Sequence, residues 1–205
     1  MLIDFKHLSQ KYKFQPEGVL HIGASTGQEA QAYHELGVKR VIWIEAIPAV
    51  YADLCRNIRK YPGHEAVQAC ISDKTGESVK FHISSNESQS SSMLEFGTHS
   101  EVHPDVTFVD EIELKTSRVD DLGLDLECID FLNIDLQGCE LLALRGMGSL
   151  LSQFKFAYLE INEKELYKCC PLFGELNSWM RGAGFSFKEK KMCGGFGWGD
   201  AFYMR

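Results

Sequence analysis

Nowhere in this sequence does an apolar run approach the roughly 18 residues that a helix needs to cross a bilayer. The opening Met1-Leu-Ile-Asp-Phe-Lys lacks the charged start, apolar centre and small-residue cleavage site of a secretory leader. Basic excess is missing as well. The 21 Lys and Arg stand against 29 Asp and Glu, and a formal charge of −8 argues against a phosphate-binding surface and so against a nucleic-acid partner. No Cys-x-x-Cys occurs. The seven cysteines are odd in number and mostly sit in apolar runs, where a thiol packs as a small hydrophobe. Neither a repeat nor a Pro- or Gly-rich linker divides the 205 residues. These absences set the expectation of a single cytoplasmic domain with free thiols, bound to neither membrane nor nucleic acid.

What is present begins with Gly18-Val-Leu-His-Ile-Gly-Ala-Ser-Thr-Gly27-Gln-Glu-Ala30. A short apolar run stops at a glycine turn, and a helical pattern follows. A buried strand feeding such a turn is how open α/β sheets build a nucleotide-like ligand site, because glycine lets the backbone approach the ligand. A dinucleotide fingerprint requires a glycine where Ser25 stands, so the turn suits a ligand without a pyrophosphate.

Leu2, Phe5, Leu8 and Tyr12 predict a lead-in helix over residues 1–16. Continuous apolar runs predict buried strands near 18–23, 40–45, 66–71, 129–135 and 156–161. Helices are expected at 27–37, from Pro48, from Glu140 and through Leu172–Met180. Residues 77–117 read as an antiparallel insertion, with alternating Val79, Phe81 and Ile83 and a loop of six serines between Ser84 and Ser92. That loop is either a flexible connection or a flap over a site. His99 and His103 beside Pro104 read as loop histidines rather than metal ligands. Residues 185–191 and 201–204 close the chain as a hairpin supplying an antiparallel edge strand. The pattern is a doubly wound, mostly parallel α/β sheet with a β insertion.

Polar residues gather where the parallel strands end: Gly23 and Gly27, Glu45, Asp73, Asp135, and Glu160 with Asn162. That edge is where open α/β sheets bind ligands, and an acid ending the second strand can accept both hydroxyls of a ribose. A nucleoside without pyrophosphate fits S-adenosylmethionine better than NAD. The blocks His21–Gly27, Trp43–Ala46, Ala69–Asp73, Thr116–Leu122, Gly197–Tyr203 and above all Asp130-Phe-Leu-Asn-Ile-Asp-Leu-Gln-Gly-Cys-Glu-Leu141 make the sequence resemble the FkbM family of S-adenosylmethionine-dependent methyltransferases. The resemblance implies the class I (Rossmann-like) methyltransferase fold and methyl transfer to a hydroxyl of a small molecule or glycan. It places Gly23, Ala24 and Gly27 against the methionine part of the cofactor, Glu45 with Ala46 at the ribose, and Ser72 and Asp73 beside the adenine. His21 stands where an acid is frequent in the family, and Gln137 where Glu is, which removes a possible acid–base group.

Methyl transfer needs alignment above all, since the sulfonium is already activated. A hydroxyl acceptor also needs a base, for which Asp135 is the first candidate and His21 the second. The alternative is that Asp135 joins Asn162 around a divalent cation, although no metal is assigned. The acceptor pocket is expected between the serine-rich loop and residues 194–200, with Asn162, Trp198 and Asp200 contacting the acceptor. An NAD-dependent oxidoreductase, disfavoured by Ser25 and the terminal hairpin, and a non-catalytic cofactor-binding module are the competing readings.

Overall fold

The computed structural model describes residues 1–205. Its main sheet contains β1 (Gly18–Ile22), β2 (Arg40–Glu45), β3 (His64–Gln68), β7 (Phe131–Ile134), β8 (Phe156–Asn162), β9 (Ser186–Met192) and β10 (Trp198–Met204). Their order is β3-β2-β1-β7-β8-β10-β9. The first five strands are parallel, and β10 runs antiparallel to both β8 and β9. The antiparallel member of the terminal hairpin is therefore interior, and β9 forms the edge. The sequences explain the exchange: β10 is mostly buried, whereas Lys188, Glu189 and Lys190 make β9 suited to water.

Alternation along β1 assigns its side chains to opposite faces. Val19 joins one apolar cluster, whereas Leu20 and Ile22 join the other. The Val19 face is covered by α1 (Phe5–Tyr12), α2 (Ala30–Glu35) and α3 (Pro48–Ile58), through Phe5, Leu8, Tyr33, Leu54 and Ile58. The other face is covered by α5 (Glu140–Gly146) and α6 (Phe173–Gly182), through Leu141, Leu144, Leu176 and Met180. Each such side chain contributes about 1.5–3 kcal/mol on full burial. The helix expected from Gly27 starts at Ala30, and the lead-in helix at Phe5 behind an extended strap. No helix is long and apolar enough to cross a membrane, and all seven cysteines are free.

The third predicted strand is divided. The chain leaves the main sheet after Gln68, and Cys70–Ile71 (β4) pairs with Thr116–Ser117 in a second sheet of order β4-β6-β5. There β5 (Ser78–Ser84) pairs antiparallel with β6 (Phe108–Ser117), and α4 (His99–Val102) lies between them in sequence. The serine segment is built rather than loose: Ser84, Ser90, Ser91 and Ser92 are buried. Ser90 N–H donates to Ser84 Oγ at 3.0 Å, Ser84 N–H to Ser91 Oγ at 2.9 Å, and Ser92 Oγ donates to the Gln137 carbonyl at 2.9 Å. Hydroxyls that close local turns and cap backbone groups explain why serine-rich sequence is ordered here.

Candidate active site

A cavity of about 540 Å³ opens at the carboxyl ends of β1, β2 and β7 and extends beneath the serine segment. Gly23 sets its floor. A Cβ there would lie 1.7 Å from the Asp135 carbonyl oxygen, and the residue has φ +81°, so only glycine lets the ends of β1 and β7 come this close. Gly27, at φ +80°, serves a neighbouring purpose: a Cβ would meet Leu54 Cδ1 at 2.9 Å, and the residue packs against α3 without lining the cavity. Gly23, Ala24, Ser25, Glu45 and Ala46 do line it.

Glu45 ends β2 with its carboxylate accepting from Ser25 N–H at 2.9 Å and Ile47 N–H at 2.8 Å. It thereby ties the glycine turn to the start of α3 and keeps lone pairs for a ligand. Burial raises its carboxyl to about 7, against those backbone bonds. Ser72 and Asp73 do not reach the cavity, whose wall here is Ala69, Cys70 and Ile71. Because β4 joins the second sheet, Ser72 N–H bonds to the Ser117 carbonyl and the Asp73 carbonyl accepts from Arg118. This side of the cavity is thus apolar and sulfur-lined rather than polar.

Asp135 lies just past β7. Its side chain keeps contact with water through the cavity, although protein surrounds the site. Desolvation raises its carboxyl to about 6, with the Gln137 bond opposing and Asp200 adding to the shift. Gln137 Nε2 donates to Asp135 Oδ1 at 2.6 Å and to Glu160 Oε2 at 2.8 Å, and Gln137 Oε1 accepts from the Tyr167 hydroxyl at 2.6 Å. Both N–H groups of this amide and its oxygen are thereby engaged. Its backbone lies in the left-handed region at φ +51°, which costs a non-glycine residue about 1 kcal/mol and is tolerated where the surroundings fix it. Glu160 is held well above the carboxylate range by burial and by Asp135 and Glu140 nearby. Glu140, within the most family-specific block, does not line the cavity. It accepts from Leu136 and Gly138 N–H groups at 3.0 Å each and clamps the turn that carries Gln137.

His21 lines the cavity but is buried and stacked on Trp43 at 5.0 Å. Asn133 Nδ2 donates to the Tyr33 hydroxyl at 2.8 Å, which leaves that hydroxyl to donate to His21 Nδ1 at 3.3 Å. Burial lowers the imidazole to about 4. A neutral ring whose accepting nitrogen is engaged by Tyr33 is a wall rather than a base, which leaves Asp135 as the better placed group.

Asn162 and Trp198 both line the cavity. Trp198 is half-buried and packs against Leu166, Tyr167 and Cys170. Asp200 lies behind the main cavity, accepting from Leu2 N–H at 2.5 Å and from the Tyr158 hydroxyl. The expectation that it meets the acceptor is corrected: Asp200 shares a face of β10 with Trp198 but lies two residues farther along the strand, beside Tyr158 and outside the main cavity, where it secures the N-terminal strap instead. His99 and His103, expected in a loop, flank a single helical turn and line the cavity. His99 is buried against Phe96, their ring centroids 4.0 Å apart, and its Nε2 lies 3.2 Å from Ser90 Oγ. No grouping of three or more His, Cys, Asp or Glu side chains is arranged to hold a metal ion. Tyr167 escaped the sequence reading, Gln137 was noted only as a departure from the family, and His99 only as a loop histidine. Glu160 was visible only as one more acid at a strand end.

The family model described as the methyltransferase FkbM domain matches residues 21–187. A search of curated proteins finds no significant match. Among solved structures, ribosomal protein L11 methylase from Lactobacillus delbrueckii subsp. bulgaricus is similar at TM-score 0.56 and 13% identity, over 96% of this chain and 73% of that one. Magnesium protoporphyrin IX methyltransferase from Synechocystis PCC 6803, with bound S-adenosylmethionine, is similar at TM-score 0.56 and 11% identity, over 98% and 75%. Aeropyrum pernix fibrillarin, with natively bound S-adenosyl-L-methionine, gives 0.51 and 14%, over 93% and 67%.

Proposed function

The chain belongs to the FkbM family of S-adenosylmethionine-dependent methyltransferases, and we propose that it methylates a hydroxyl of a small molecule or glycan, with Asp135 as the base. S-adenosylmethionine is the cofactor, and the residues present fit it. The lining includes Glu29, Glu45, Asp135 and Glu160 but no Lys or Arg, a field suited to a ligand bearing a sulfonium and an ammonium. Gly23 and Ala24 would hold the methionine portion, Glu45 the ribose hydroxyls, and Cys70, Ile71 and Ile47 the adenine face. When bound, the cofactor supplies an electrophilic methyl group that needs no further activation.

The observation that carries the hydroxyl reading is the place of Asp135. Its backbone abuts Gly23 on the cofactor side, and its carboxylate reaches Tyr167 and the serine segment through Gln137. A hydroxyl presented from the serine side would lose its proton to Asp135, whose raised carboxyl is tuned nearer neutrality than an ordinary aspartate. Gln137 donates to two carboxylates, whereas the Glu frequent in the family would add a third acid. The amide thus holds Asp135 in position without competing for the proton. Burial beside Asp135 and Glu140 keeps Glu160 protonated while Asp135 ionises, so the pair carries one charge rather than two.

Neither the negative net charge nor a cavity lining without Lys or Arg suits a polynucleotide acceptor. Incubation with methyl-labelled S-adenosylmethionine and a panel of hydroxylated metabolites tests the proposal. Labelled methyl ethers are the expected products. Label found only on nitrogen, sulfur or carboxylate oxygen would overturn the hydroxyl assignment.

A further inference from the structure

The serine-side chamber holds two groups that its own fold leaves unpaired. Asn162 is 2% exposed, yet neither its Nδ2 nor its Oδ1 has a hydrogen-bond partner. His99 is 3% exposed, and its Nδ1 is unpaired while Nε2 is held by Ser90. Both residues line the cavity. Buried polar atoms are almost always satisfied, so two such groups bordering one chamber mark where a ligand brings the missing partners. Several neighbouring polar groups are already engaged. Ser84, Ser90 and Ser91 bond to one another and to Asn86, and Tyr167 to Gln137 and the Ser90 carbonyl.

We propose that His99 and Asn162 are the two hydrogen-bonding anchors of the acceptor, and that their chamber selects an uncharged ligand bearing at least two hydroxyl groups. This deepens the hydroxyl-methylation reading and rests on it. The chemistry follows from the orphan atoms. Asn162 needs an acceptor for Nδ2 and a donor for Oδ1, and a hydroxyl supplies both roles, whereas an ammonium only donates. His99, kept neutral by burial and by His103 beside it, asks for one further polar partner. An anionic ligand finds no Lys or Arg in the lining and meets the Asp135 carboxylate instead. Trp198 and Tyr167 add apolar faces on which a ring can lie. His99 thereby becomes a specificity-determining residue, held in place by Ser90 of the serine segment and by its stack on Phe96.

The test uses the full chain saturated with S-adenosylhomocysteine, and reads ligand binding by saturation-transfer NMR and competition. The probes are myo-inositol and methyl glucoside, against glucose 6-phosphate, glucuronate and glucosamine. Uncharged polyols should bind at least 10-fold more tightly than the charged analogues. Asn162→Leu and His99→Phe should each weaken polyol binding at least 10-fold while leaving the S-adenosylhomocysteine Kd unchanged, which also shows that the variants fold. His99→Asn, which keeps a polar atom near the place of Nδ1, should recover most of the loss. Preference for a charged probe, wild-type polyol affinity in both disabling variants, or no polyol binding at all would each overturn the proposal. Loss of S-adenosylhomocysteine binding by the wild-type chain would instead count against the cofactor site itself. Methyl ethers formed on a charged acceptor would refute only the selectivity proposed here.

Discussion

Where the cavity meets the main sheet, its wall is largely backbone: Gly23 against the Asp135 carbonyl, and the N–H groups of Ser25 and Ile47 aimed at Glu45. Around the serine segment, its wall is side chains: serine hydroxyls, Tyr167, His99 and Asn162. The first half has its polar groups paired before any ligand arrives, and the second leaves Asn162 and one nitrogen of His99 unpaired. A cofactor common to many enzymes can be met by a fixed backbone cradle. An acceptor particular to one enzyme is met by side chains that substitution can change without disturbing the sheet.

The sharpest break of this contrast is Gly23→Ala. A Cβ 1.7 Å from a backbone oxygen has no flexible neighbour to displace, and φ +81° strains any side chain. A stability loss of at least about 3 kcal/mol is expected by thermal or urea denaturation. A variant with wild-type Tm would show that the cradle is not built as described.

The acids of the cofactor half give the next effect. Burial raises Glu45 and Glu140 from 4.5 to about 7, so the folded state holds protons that the unfolded chain has released. Their contribution is fully present below about pH 4.5 and is lost as pH rises through about 7. Denaturation midpoints of the ligand-free protein should fall over that window by an amount on the order of a few kcal/mol. Saturating S-adenosylmethionine should flatten the fall, because its positive charge favours the ionised form of Glu45. A midpoint independent of pH would contradict the burial of these carboxyls.

Glu45→Gln isolates the ribose contact. Calorimetry should show S-adenosylmethionine binding weakened by about 1.5–3 kcal/mol, the scale of hydrogen bonds to a charged group, with less pH dependence of stability. Unchanged affinity would remove Glu45 from the cofactor site.

The chain's reading from sequence was uneven for the same reason that the two halves differ. The strand ends of the cofactor half are consecutive residues on continuous apolar runs, and β2 was legible to the residue at Arg40–Glu45. Gly23, Glu45 and Asp135 therefore announced themselves by position. Ser72 and Asp73 misled because the third run bends into the second sheet at Ala69, a tertiary pairing that periodicity does not encode. The acceptor half joins Ser90, His99, Gln137, Asn162, Tyr167 and Trp198 from separate segments, and no local pattern links them. The serines left both a flexible connection and a flap over a site open, because composition alone does not reveal which hydroxyls bond to which backbone groups. Asp200 is a further case: it was expected in the loop before the last strand, whereas β10 already begins at Trp198 and pairs Asp200 with Glu160.

Trp198→Ala gives the smallest effect in this series. Because the indole borders the chamber and also packs on Leu166 and Tyr167, the acceptor KM should rise several-fold with a modest Tm loss and an unchanged S-adenosylmethionine Kd. An unchanged KM accompanied by the Tm loss would make Trp198 a packing residue only.

The central claim is that proton acceptance is localised at Asp135, between the two halves. The direct measurement is the pH dependence of kcat, alongside the S-adenosylmethionine Kd, for the wild type and for Asp135→Asn. In the wild type, kcat should rise with pH through the ionisation of Asp135, whose carboxyl stands at about 6 in the ligand-free protein. In Asp135→Asn this limb should vanish and kcat should fall about 10²–10⁴-fold, with the cofactor Kd nearly unchanged. A variant that keeps both the limb and the rate, or that loses cofactor binding in proportion to rate, would contradict the account.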